Sequence, residues 1–198
     1  MAARSNSATR GGPRRTGSSR APATGRRRPA STSDDVARNP LVTRLASRLL
    51  VRGGFAATAE SCTGGLIAKL CTDLPGSSRW FDRGLVTYSN EAKRELLGVR
   101  DSTLRRHGAV SEAVAREMVR GVLRRSRATI AVAVTGIAGP DGGTPEKPVG
   151  TVWFAWGRRR GRIILVQAGR RRFRGDRDMV RRRSAQHALA GLLKQLGA

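Results

Sequence analysis

A chain of 198 residues can hold one domain with its own apolar core plus an extension. Its net charge of +25 favours anionic ligands or nonspecific nucleic-acid binding, without bearing on the fold. The only two cysteines, Cys62 and Cys71, exclude a disulfide framework and a cysteine zinc site, and no apolar run reaches the ~18 residues of a membrane helix.

Residues 1–33 hold eight arginines, no acid and almost no large apolar side chain, which leaves +17 for residues 34–198. Such a segment buries too little to offset chain entropy, so a disordered basic tail over residues 1–35 is expected, with the domain at 36–198. The tail reads either as a solvated extension or as a nucleic-acid arm. It lacks the apolar stretch of a secretory signal, so a cytoplasmic location is expected.

Asn39-Pro40 opens a helix through about Arg52, with Leu41, Leu45 and Leu49 on its apolar face and Gly53-Gly54 at its end. Phe55–Thr58 reads as a short buried strand, and Leu66–Cys71 as a helix for which Thr63 is a plausible N-cap. Leu74-Pro75-Gly76 breaks that helix. Trp80–Tyr88 reads as a strand, and Asn90 can cap the short helix ended by Gly98. Asp101 or Ser102 starts another helix toward Gly108, and Ser111 precedes a longer one over about Glu112–Arg125. Thr129–Val134 is a near-continuous apolar run, suited to a central strand covered on both faces. Val149–Trp156 and Arg162–Phe173 read as a hairpin joined through Gly157–Gly161, and Asp176 caps a last helix to about Leu196. The order α-β-α-β-α-α-α-β-β-β-α predicts an α/β fold: a three-layer α/β/α domain with a mixed sheet.

Ala59–Gly65 places Ser61 where a strand turns into a helix. Such a turn either receives an anion or oxyanion on free helix N–H groups, or packs a helix on a sheet. A serine there needs a base, and neither His107 nor His187 has a suitable context; Lys93, early in the next helix, is the candidate. An ordinary lysine is neutral about once in a thousand at pH 7.4, and correcting that takes ~4 kcal/mol of differential interaction. Exclusion of water near other cations supplies such a shift. Taken alone, Lys93 also reads as a solvated helix residue and Tyr88 as a strand residue capping the core. The loop Thr135–Gly143 follows the central strand, at the end of the sheet where α/β folds bind ligands.

Ala59–Gly65, Pro75–Ser78, Val86–Lys93, Leu97–Val99, His107–Ser111, Thr135–Gly143, Lys147–Val152 and Gly175–Arg177 stand in the order found in CinA C-terminal domains. From about residue 40 to 196 the chain resembles that family, and specifically its stand-alone, nicotinamide-nucleotide amidase type. The resemblance implies hydrolysis of nicotinamide mononucleotide to nicotinate mononucleotide and ammonia, in pyridine-nucleotide recycling. It implies Ser61 as nucleophile, Lys93 as general base and Tyr88 as a polar partner, with no metal and no cofactor. Thr63, Gly64, Gly65, Thr135, Gly136, Asp141 and Arg177 are expected to bind the nucleotide, and the turn's N–H groups to meet the oxyanion. A homodimer is expected from the base rate for symmetric oligomers. The rival expectation is a competence- or damage-associated nucleic-acid-binding module with a degenerate pocket. The N-terminal domain of full-length CinA proteins has no counterpart in this sequence, and the family pattern does not explain the arginine-rich tail.

Overall fold

The computed structural model describes residues 39–197; the expectation about residues 1–35 lies outside them. The elements are α1 (Pro40–Val51), β1 (Ala56–Glu60), α2 (Leu66–Thr72), a 3₁₀ turn (Ser77–Arg79), β2 (Phe81–Val86), α3 (Asn90–Leu97), α4 (Asp101–His107), α5 (Glu112–Arg124), β3 (Ile130–Gly136), β4 (Thr151–Arg160), β5 (Ile163–Arg172) and α6 (Arg177–Gln195). This is the predicted order. One five-stranded sheet runs β2-β1-β3-β4-β5. β1 is parallel to β2 and β3, whereas β3, β4 and β5 are antiparallel in turn, so the sheet is mixed.

The two faces of the sheet differ in side-chain size. Ile130, Val132, Val134, Val152, Phe154 and Trp156 point toward α1, α2 and α6. Ala57, Ala59, Ala131, Ala133 and Ala155 point toward α5 and its neighbours. Period-2 alternation along each strand produces this division. The alanine face lets α5 approach closely: a Cβ on Gly157 would lie 2.6 Å from Leu123 Cδ1. Gly157 therefore belongs to the small-residue face inside β4, not to the hairpin turn. The turn falls at Gly161-Arg162, and both strands reach ten residues.

Three caps match the sequence reading: Asn39 accepts from the N–H of Leu41, Ser111 from Val114 and Asp176 from Met179. Two do not. Ser89, not Asn90, caps α3, because Ser89 is the extended residue whose hydroxyl reaches the N–H of Ala92. Thr63 does not cap α2; the cap position is Gly65, at φ 89°, with no side-chain bond. The Glu60 carboxylate replaces it, accepting from the N–H groups of Ile67 at 3.1 Å and Ala68 at 2.8 Å.

Strands β1, β2 and β3 run one way, and β5 runs with them. Their carboxyl ends therefore share one edge of the sheet. Ser61, Tyr88, the loop after Gly136 and the start of α6 all issue there.

Candidate active site

Ser61 follows the last residue of β1 directly, and its N–H donates to the Val134 carbonyl of the neighbouring strand at 2.9 Å. That bond, together with a bond from the Gly64 N–H to the Ser61 carbonyl at 3.0 Å, fixes the turn. Lys93 is the fourth residue of α3, so its long side chain runs back toward the chain that enters the helix. Its Nζ stands 2.9 Å from the Thr87 carbonyl, 3.1 Å from that of Tyr88 and 3.3 Å from that of Ser89. The fourth neighbour is Ser61 Oγ, at 3.2 Å.

Lys93 is only 1% exposed and forms no ion pair among the described residues. Burial penalises the ammonium and holds this lysine below its usual range, against the smaller opposing pull of Cys62 and Glu91. A neutral amine keeps two N–H donors for carbonyls and has a lone pair free for a hydroxyl proton. The arrangement is thus able to take a proton from Ser61.

Both side chains open on a cavity of about 290 Å³. Of the residues singled out by sequence, Ser61, Tyr88, Lys93, Thr135, Gly136, Asp141 and Arg177 line it. Thr63, Gly64 and Gly65 do not. The Thr63 carbonyl is engaged by Arg181 at 3.0 Å, and the α2 N-terminus already holds the Glu60 carboxylate. Tyr88 lies two residues beyond β2 and is 59% exposed. It meets Lys93 through its carbonyl, while its phenol oxygen accepts from Arg177 Nη2 at 2.8 Å. Arg177 also donates from Nη1 to the Gly139 carbonyl at 2.8 Å, tying the glycine loop to Tyr88. Thr135 is buried, and its hydroxyl donates to the Ala109 carbonyl at 2.9 Å.

Sequence reasoning missed four participants. Asn90 and Val110 line the cavity, and neither has a distinctive local signal. Glu60 had one: a lone carboxylate in an otherwise small and apolar strand, seven residues before Ile67. Arg181 had another, one helical turn beyond Arg177. Cys62 also borders the cavity, but burial pushes its thiol up to about 12, and burial raises Cys71 as well. Neither is a thiolate near neutrality. Among the described residues, no group of three or more His, Cys, Asp or Glu could hold a metal ion, and no helix is long and apolar enough to cross a membrane.

The chain is similar to several known proteins. The nicotinamide-nucleotide amidohydrolase PncC of Escherichia coli K12 is 57% identical over 147 residues, covering 74% of this chain and 87% of that protein. The protein of the same name from Pseudomonas putida is 53% identical over 157 residues, covering 79% and 95%. The crystal structure of the competence/damage inducible protein CihA from Agrobacterium tumefaciens superposes with a TM-score of 0.75 at 46% identity, covering 83% of this chain and 96% of that one. The family model described as CinA C-terminal domain matches residues 38–196. With that match spanning every described element, and relatives more than half identical over most of their length, the chain belongs to the CinA C-terminal domain family.

Proposed function

We propose that this protein is an amidohydrolase that converts nicotinamide mononucleotide to nicotinate mononucleotide and ammonia, in pyridine-nucleotide recycling. The observation that carries the reading is the buried Lys93 Nζ, 3.2 Å from Ser61 Oγ at the floor of a cavity. The names of the E. coli and P. putida relatives support the substrate class.

In this reading Ser61 Oγ attacks the carboxamide carbon while Lys93 takes its proton. The tetrahedral intermediate collapses as Lys93 returns that proton to the departing nitrogen, releasing ammonia and leaving an acyl ester on Ser61. Water, deprotonated by Lys93, then attacks the ester carbon, and Lys93 returns the proton to Ser61 Oγ as the acid product leaves. Glu60 already occupies the first amides of α2, so the oxyanion is assigned to N–H groups of the Gly136–Gly142 loop. Arg177 presents further N–H donors toward the cavity, suited to the phosphate. Tyr88 accepts from Arg177 and so keeps its own O–H proton available to substrate. A degenerate pocket would have no reason to hold Ser61 and Lys93 within hydrogen-bond distance.

The test is ammonia release from nicotinamide mononucleotide by the purified protein, with free nicotinamide as control. Turnover of the nucleotide is expected and Ser61→Ala should abolish it. Equal turnover by wild type and Ser61→Ala would overturn the serine mechanism.

A further inference from the structure

The positive charge of the domain is segregated. Residues 39–147 carry 17 Lys and Arg against 10 Asp and Glu, whereas the shorter stretch 148–198 carries 13 against 2. Both of those acids are engaged: Asp176 caps α6 and Asp178 pairs with Arg182. In the first stretch seven of the 17 cations pair with carboxylates among the described residues, such as Arg83 and Arg127 with Asp82, Arg100 with Glu117 and Arg116 with Glu112; in the second only Arg182 does. Along the β4–β5 ribbon, Arg160, Arg162, Arg170, Arg171, Arg172 and Arg174 are all exposed, and none forms an ion pair among the described residues. Six of the twelve cations of the second stretch that form no ion pair among the described residues border one edge of the sheet.

We infer that the β4–β5 ribbon, none of whose arginines lines the amidase cavity, is a docking surface for the phosphate backbone of duplex nucleic acid. β5 is the edge strand, and its ten residues span roughly 33 Å at ~3.3 Å per residue. That is about one turn of B-form DNA, ~34 Å. Arg160 and Arg162 sit at the hairpin end, and Arg170–Arg174 at the other. Strand parity puts Arg171 on the α6 face and Arg170 and Arg172 on the α5 face, so cations flank the open edge on both sides. Between β5 and α6 lies a groove of about 270 Å³, bordered by Arg170, Arg171, His187 and Lys194 with no carboxylate in its lining. Burial, with Arg171 and Lys194 nearby, holds the His187 imidazole below its usual range. Mutual repulsion among Arg170, Arg171 and Lys194 is relieved when an anion enters. Two clusters of cations at the ends of the edge strand, with the uncharged Ile163–Gly169 between them, fit phosphates about one helical turn apart on a duplex better than they fit a single phosphate. The same charges also guard the edge against strand pairing, so the test must keep the edge charged.

The experiment is fluorescence anisotropy of a labelled 20-base-pair DNA duplex against the full chain, over a series of NaCl concentrations. One variant replaces the six ribbon arginines by Glu, a second replaces them by Lys, and a third replaces the eight arginines of residues 1–33 by Glu. The ribbon Glu variant should bind the duplex at least tenfold more weakly, and its log K against log[salt] slope should shrink by about 0.9 for each phosphate that the ribbon no longer neutralises. The Lys variant should keep the affinity, the slope and amide hydrolysis, and the tail variant should be weakened less than the ribbon Glu variant despite its larger charge change. Unchanged affinity in the ribbon Glu variant, a larger drop in the tail variant, or competition in which vesicles of 30% phosphatidylserine displace the duplex would each overturn the proposal.

Discussion

At the scale of single residues, Lys93 carries two opposing demands. Three carbonyls favour an ammonium, and full burial favours the amine; burial prevails and lowers its pKa. Arginine keeps the charge and much of the reach, but cannot give up a proton near neutrality. Lys93→Arg and Lys93→Ala should therefore lose similar amounts of kcat at saturating nicotinamide mononucleotide, about 10²–10⁴-fold each. Substantial rescue by arginine would mean that Lys93 serves only as a positive charge. The sign of the pH dependence follows from the same shift. The active form is the neutral amine, whose fraction grows with pH, so kcat/KM should rise with pH to a midpoint below the ordinary lysine value of 10.5. That limb should be missing from the residual activity of Lys93→Ala; a limb of the same midpoint in both proteins would assign it to another group.

Among elements, α3 and α5 approach each other closely. A Cβ on Gly121 of α5 would stand 2.1 Å from the Leu97 carbonyl oxygen at the end of α3. That oxygen also accepts from the guanidinium of Arg125, the residue that closes α5, at 3.0 Å, so the two helices are joined there as well as packed. Helix propensity favours alanine over glycine by about 1 kcal/mol. Overpacking against backbone, which has no rotamer to change, costs about 1–3 kcal/mol or more. The clash decides the sign. Gly121→Ala should lower stability by roughly 2 kcal/mol in urea unfolding, and α3, which carries Lys93, should be displaced with it. A stability gain of about 1 kcal/mol would show that the helices separate at no cost.

Over the whole molecule, a net charge of +25 repels itself. Such repulsion opposes the compact state more than the expanded one, and salt screens it over roughly 10 Å at 0.1 M. Raising NaCl from about 10 to 200 mM should therefore raise Tm by several degrees. Thermal scans that fall or stay level with NaCl would indicate that internal ion pairs outweigh the repulsion. The Glu117 cluster, where Arg100 and Thr103 of one segment meet α5, is the clearest source of such opposition in the fold.

Element order, the mixed sheet and most caps are legible in the chain because they follow from local patterns: apolar period, Asn39, Ser111 and Asp176 before helices, Gly98 after one. Ser61, Tyr88, Lys93 and Arg177 stand out because they fall at or near element ends, on the edge of the sheet where the parallel strands end. Pairings between distant segments are not legible. No local pattern says that Lys93 is held by three carbonyls of the chain just before it and touches Ser61, 32 residues away. The sequence places free N–H groups at the start of α2; the fold gives them to Glu60, because a buried carboxylate without a cation takes the nearest donors. Gly157 reads as a turn residue until α5 lies against it. Burial, registry and the identity of each hydrogen-bond partner are properties of the packed chain, and they decide which of the sequence's candidates face the cavity.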